Sequence, residues 1–197
     1  MYDKILGDAR FPELLREVDE ELARTAQESG CPECGAAVDA AHYLRQPRGW
    51  PWELSKEQCK RLSFCCRRDG CRRRKMAPSV RFLGRRVYLG AIVVLAGVLG
   101  QGATSWRVAR LQAVLGADRR TLMRWRRWWM RLASSREFVV GRGDFMPAPA
   151  SVSLPGSLLE CFRGTEPERL VVMLRWMGRQ FGARFPGDTQ GSAEDAR

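Results

Sequence analysis

Seven cysteines, at 31, 34, 59, 65, 66, 71 and 161, constrain this chain of 197 residues more than any other feature. The segment Cys31-Pro32-Glu33-Cys34-Gly35 has the Cys-X2-Cys-Gly form of a metal-binding knuckle. Two thiolates converge from one tight turn, and glycine tolerates the backbone angle that the turn demands. A second half-site lies in Phe64-Cys65-Cys66-Arg67-Arg68-Asp69-Gly70-Cys71, where a knuckle closing at Cys71 starts at either of two adjacent cysteines. Cys66 is favoured, because Phe64 then precedes it by two residues on the same strand face and Cys65 points the other way. The expected ligand set is therefore Cys31, Cys34, Cys66 and Cys71 around one structural Zn2+. The competing reading takes these cysteines as small buried hydrophobes. Cys59, Cys161 and the lone His42 are expected to stand outside the site, with His42 as the reserve fourth ligand.

An odd cysteine count with close pairs points to metal in a reducing compartment rather than to a disulfide framework. The N-terminus has neither the basic patch nor the apolar run of an export signal, which predicts a cytoplasmic protein, nucleoid-associated if it binds DNA. The one long apolar run, 87–100, is too short for the ~20 residues of a membrane helix and reads as a buried core helix. No membrane partner is expected.

Charge is unevenly distributed. Residues 31–185 hold 29 Lys/Arg against 11 Asp/Glu, whereas residues 1–30 and the last twelve are net acidic. A basic middle suits a polyanion, because neutralising phosphates releases counterions and steers association.

The apolar positions divide the chain further. Phe11, Leu14, Leu15, Val18 and Leu22 recur at helical spacing after Pro12, predicting an N-terminal amphipathic helix within 1–30 with an acidic outer face. It packs either on the protein or on a partner. Short alternations broken by Gly and Pro suit a zinc ribbon over 31–86. Helical periodicity then predicts three helices in 87–133: 87–99, 105–115 and 118–133. Residues 134–185 read as an extended connection over 134–154 followed by two C-terminal helices, the second with a Thr165/Glu168 capping box. Residues 186–197 read as a disordered tail. The expected fold class is α+β, mainly α: a small four-cysteine zinc ribbon, a three-helix helix-turn-helix and C-terminal helices.

Two basic surfaces stand out. Around the ribbon are Arg67, Arg68, Arg72, Arg73, Arg74 and Lys75, with Arg81, Arg85 and Arg86 further on, without matching carboxylates in the local sequence. A basic run is usually a solvated face, but this density predicts phosphate contact. In residues 108–127, Leu111 and Leu115 face inward, Gly116 makes the turn, Asp118 caps the next helix, and Leu122 and Trp125 lock it in place. Arg119, Arg120, Met123, Arg124 and Arg127 then project outward at groove-reading positions. Trp128 and Trp129 invite stacking on single-stranded bases, although helical spacing assigns Trp125 and Trp128 to the core. The plain alternative is a three-helix bundle with no recognition role.

The stretch Leu115-Gly116-Ala117-Asp118-Arg119-Arg120-Thr121-Leu122-Met123-Arg124-Trp125 resembles the homeodomain-like helix-turn-helix of many bacterial insertion-sequence transposases and their accessory proteins. The order of ribbon then helix-turn-helix is similar to small DNA-binding proteins of some mobile elements. The likeness covers about 31–133. It implies sequence-directed duplex DNA binding in transposition, with a transposase or another protein as partner through the N-terminal or C-terminal helices.

The sequence contains no phosphate loop and no nucleophile motif, and its carboxylates after residue 133 are few, so no enzymatic activity is expected. A single histidine leaves little acid–base chemistry near neutral pH. Rival expectations are a transcription regulator, an RNA-binding ribonucleoprotein component and a protein-interaction adaptor.

Overall fold

The computed structural model describes residues 8, 10–46, 53–82, 89–97, 104–143 and 154–181. The chain is α+β, with helices in the majority and a small sheet near its N-terminal end. Helix α1 spans Phe11–Glu28, with a proline in its first turn. Its apolar stripe packs on the protein itself: Phe11, Leu15, Val18 and Leu22 enter the main core, and Ala23 and Ala26 enter a second, smaller one. Leu14, at the edge of the stripe, is partly exposed.

Five short strands follow: β1 Val38–Ala40, β2 Tyr43–Leu44, β3 Lys60–Arg61, β4 Ser63–Cys66 and β5 Arg74–Met76. β4 lies centrally between antiparallel partners β1 and β5, with Val38 opposite Cys66 and Cys65 opposite Arg74. β2 and β3 form a separate antiparallel pair. Period-2 alternation turns Phe64 and Cys66 into the small core, while Cys65 faces away and its thiol meets the carbonyl of Arg72.

The remaining helices are α2 Gly90–Gly97, α3 Ser105–Leu115, α4 Arg119–Ala133, α5 Arg136–Arg142, α6 Gly156–Leu159 and α7 Glu166–Phe181. α3 ends at Gly116, whose φ of 59° is the left-handed cap conformation that costs a side-chain-bearing residue about 1 kcal/mol or more. The expected cap on α4 is present: Asp118 accepts from the Thr121 backbone N–H at 2.7 Å. That bond is the main cause of a carboxyl pKa below the ordinary aspartate value.

Trp125, Trp128, Trp129 and Leu132 of α4 are buried, and the Trp129 indole donates to the Val93 carbonyl of α2 at 2.6 Å. These tryptophans are core. The stacking role considered for Trp128 and Trp129 does not apply to them.

The connection expected to be extended over 134–154 contains helix α5, capped by Ser135, which accepts from the Phe138 N–H. Gly141 and Gly143 disguised this helix in the sequence. The first glycine is close to α7, where an added Cβ would meet the Gln180 side chain at 3.0 Å, and the second terminates the helix. Phe138 is buried edge-to-face against Trp176. One arm of the expected capping box of α7 is present: Glu168 accepts from the Thr165 N–H at 2.7 Å and from the Thr165 hydroxyl at 2.8 Å. α7 lies along α1: Arg175 and Arg179 pair with Glu21, and Gly178 accommodates the Leu22 side chain.

One hydrophobic cluster joins α1, Val80, α2, α3, α4, α5, α6 and α7. No helix among the described residues is long and apolar enough to cross a membrane. The predicted tail at 186–197, the ends of the predicted 87–99 helix and the positions of Arg85 and Arg86 lie outside the described residues.

Candidate functional site

Where α1 ends, the chain must reverse sharply to begin the first knuckle. Gly30 does this with φ 67°, in contact so close that an added Cβ would meet the Gly35 carbonyl oxygen at 3.0 Å. The Cys31 N–H donates to the Ala36 carbonyl at 2.8 Å and the Gly35 N–H to the Cys31 carbonyl at 2.9 Å, closing the Cys31–Cys34 turn. The second turn links β4 to β5. Cys66 ends β4, and Gly70 and Arg72, both at positive φ, fold the wider four-residue spacing so that Cys71 returns beside it.

The four predicted thiols meet. Cys31, Cys34, Cys66 and Cys71 place their sulfurs within 4.8 Å of one another, with Cys31–Cys71 at 3.8 Å and Cys34–Cys66 at 3.5 Å. A tetrahedral ion bound at a metal–sulfur distance of about 2.3 Å requires sulfur–sulfur edges of about 3.8 Å. The donor set therefore fits one ion. The other three cysteines lie outside the cluster, and burial raises the thiol pKa of Cys59 and Cys161. His42 is not needed as a reserve ligand: its Nδ1 lies 3.0 Å from the Ser63 carbonyl, and its ring packs edge-on to Phe64.

Backbone N–H groups are aimed at the sulfurs. Those of Glu33 and Cys34 donate to Cys31, that of Arg68 to Cys66 and that of Arg73 to Cys71. Such donors stabilise thiolate over thiol. At Cys31 the Glu33 N–H leads, and the pKa falls to about 7; at Cys66 burial dominates and pushes it up to about 12. An ion binds the deprotonated forms, so its affinity should fall as pH falls. Metal uptake near neutral pH is therefore expected to release protons from the cysteines. Titration calorimetry in buffers of different ionisation enthalpy measures this release. Metal uptake without proton release would exclude the four thiols as ligands.

The cations predicted around the ribbon differ in their surroundings. Arg81 is not on the surface at all: it is buried at 1% exposure and pairs with Asp19 at 2.7 Å. Lys75 points back to the C-terminal end of α1, where its ammonium donates to the Ala26 carbonyl, the Ser29 hydroxyl and the Gly30 carbonyl. All three of its donors are engaged, and a cation at a helix C-terminus is favoured by the helix dipole. Carboxylates also neutralise part of this surface, since Arg67 pairs with Asp39 at 2.6 Å and Arg72 lies 3.8 Å from Asp69. Arg74 donates to the Ala41 carbonyl and sits over the Tyr43 ring. Arg68 and Arg73 remain exposed, with no side-chain partner among the described residues.

On α4, Arg119, Arg120, Arg124 and Arg127 are exposed opposite the buried tryptophan face. Arg124 donates to the Thr121 hydroxyl at 2.9 Å, while the guanidinium groups of Arg119, Arg120 and Arg127 have no partner among the described residues. Met123 does not project as expected. It is half-buried against the main core.

Sequence reasoning overlooked Asp19, counted with an acidic outer face, and Trp106, which is 66% exposed at the start of α3. An aspartate at a core-facing helical position was the available signal for the first. Comparison of the chain with family models, with curated proteins and with solved structures gave no match.

Proposed function

We propose that this chain is a non-enzymatic nucleic-acid-binding protein in which α3, the Gly116–Asp118 turn and α4 act as a helix-turn-helix on duplex DNA, beside a ribbon folded around one structural Zn2+. The observation that carries the reading is the outer face of α4, where Arg119, Arg120, Arg124 and Arg127 stand together without a carboxylate on the helix. Arginine forks pair with guanine edges and with phosphates, and a rigid helix backed by buried tryptophans holds them in register. Zinc suits four thiolates in a tetrahedron; with no open position for water, such an ion stabilises the fold rather than performing chemistry. The resemblance to insertion-sequence proteins makes a mobile-element accessory or targeting factor the specific role proposed.

The test separates base readout from phosphate contact. On a duplex selected from a random pool, Arg120→Ala should cost about 1–3 kcal/mol and flatten the preference over random DNA. Arg68→Ala or Arg73→Ala should weaken all duplexes alike and reduce the salt slope by about one for each lost contact. Equal behaviour of the two sets would reduce α4 to an electrostatic surface. Stronger retention of structured RNA than duplex DNA in competition would reassign the ligand.

A further inference from the structure

Among the described residues, Trp106 is the one tryptophan largely exposed to solvent. It stands on the outer side of α3, where Thr104 caps the helix by accepting from the Arg107 N–H. The Arg110 guanidinium lies over the indole, 5.5 Å from the ring centroid, one helical turn further on. Water-facing indole is costly, and a cation over one face both orients the ring and leaves positive charge beside it.

Residues 105–133 carry eight arginines and a single acidic side chain, Asp118, which is engaged in the α4 cap. This field repels basic protein surfaces and attracts phosphates. An exposed aromatic ring inside such a field is the combination that holds single-stranded nucleic acid, because every base has a face to stack and every nucleotide a phosphate.

Position further narrows the ligand. Ten residues of helix separate Trp106 from Gly116, so the indole stands about 15 Å from the turn that introduces α4. In a helix-turn-helix the first helix crosses the backbone at the edge of the groove. At that place the bases of an intact duplex are covered by their neighbours and offer no face to an indole. We infer that Trp106 is a stacking platform for an unpaired base flanking the duplex, and that the preferred ligand is a duplex with a single-stranded extension. The inference rests on the proposed role of α3 and α4.

The experiment compares one labelled blunt duplex with the same duplex carrying an oligothymidine extension, by fluorescence anisotropy at fixed salt. The wild type should bind the extended duplex roughly tenfold more tightly. Trp106→Ala should abolish that gain and leave blunt-duplex affinity unchanged, while Trp106→Phe should retain most of it. Because the side chain is exposed, both variants should fold, as far-ultraviolet circular dichroism will verify. Equal affinity of the wild type for the two DNAs would overturn the platform while leaving the groove-reading proposal intact. Binding of the extended duplex alone would support the platform and remove the groove reading. Equal loss on both DNAs in Trp106→Ala, or a change in its sedimentation mass, would overturn the platform in favour of general affinity or self-association.

Discussion

Cys66→Ser is expected to unfold the ribbon. Cys66 is fully buried at the end of the central strand, and its thiol lies in a core otherwise made of Cys31, Val38, Leu62, Phe64, Ala77 and two alanines of α1. So small a core buries too little apolar area to offset the entropy of ordering the strands. On the proposed zinc site, an ion held by the four thiolates would supply the difference, and for structural zinc sites that contribution is about 10–16 kcal/mol in small peptides near neutral pH. Replacing one thiolate with a hydroxyl removes a ligand and leaves a buried polar group without its partner. On that proposal the variant should no longer retain a metal ion and should lose the protease resistance of the segment that carries the cysteines, as should the wild type treated with a strong chelator. Cys65→Ser is the control, because Cys65 faces away from the cluster. Its metal content should equal that of the wild type. Wild-type protein that is folded and free of metal, by elemental analysis, would refute the site.

The four-cysteine cluster was legible because knuckle geometry is local. A Cys-X2-Cys-Gly turn is specified within five residues, and choosing Cys66 over Cys65 required only strand alternation. The α3–α4 turn was legible for the same reason, since Gly116 and Asp118 terminate and start helices through their own backbone and side chain. Pairings across long stretches of sequence were hidden. Lys75 belongs to a basic run in the sequence, yet its ammonium is directed by the end of a helix more than forty residues earlier. Arg81 looked like one more surface cation because its carboxylate lies 62 residues away on α1. Trp106 was overlooked for the opposite reason: helical spacing alone does not say which tryptophan the neighbouring helices leave uncovered.

Breaking the Asp19–Arg81 pair is expected to cost about 3–5 kcal/mol, because removing one partner strands the other charge in the interior. From α1, Asp19 accepts the Ser79 hydroxyl at 2.6 Å, the Val80 N–H at 2.6 Å and Arg81 Nε at 2.7 Å. The remaining guanidinium donors of Arg81 reach the carbonyls of Gln58 at 2.7 Å and Lys60 at 3.0 Å. The segment after β5 is thereby tied to α1 on one side and to the loop before β3 on the other. A second buried guanidinium, Arg61, shares the Phe82 ring with Arg81 and is held by the Ala77 carbonyl at 2.6 Å. Burial lowers its pKa and Asp19 opposes that shift, so Asp19→Ala removes the compensating charge for two cations at once. Against a typical total stability of about 5–15 kcal/mol, that loss is a large fraction of the whole. Asp19→Leu combined with Arg81→Met removes both charges and should recover part of the loss, the remainder being the Ser79 hydroxyl, the Val80 N–H and the Arg61 guanidinium left without Asp19, and the double-mutant cycle should show a coupling energy between the two positions. Urea unfolding monitored by tryptophan fluorescence measures all four proteins. Additive effects of the two substitutions would show that the pair does not act as a unit.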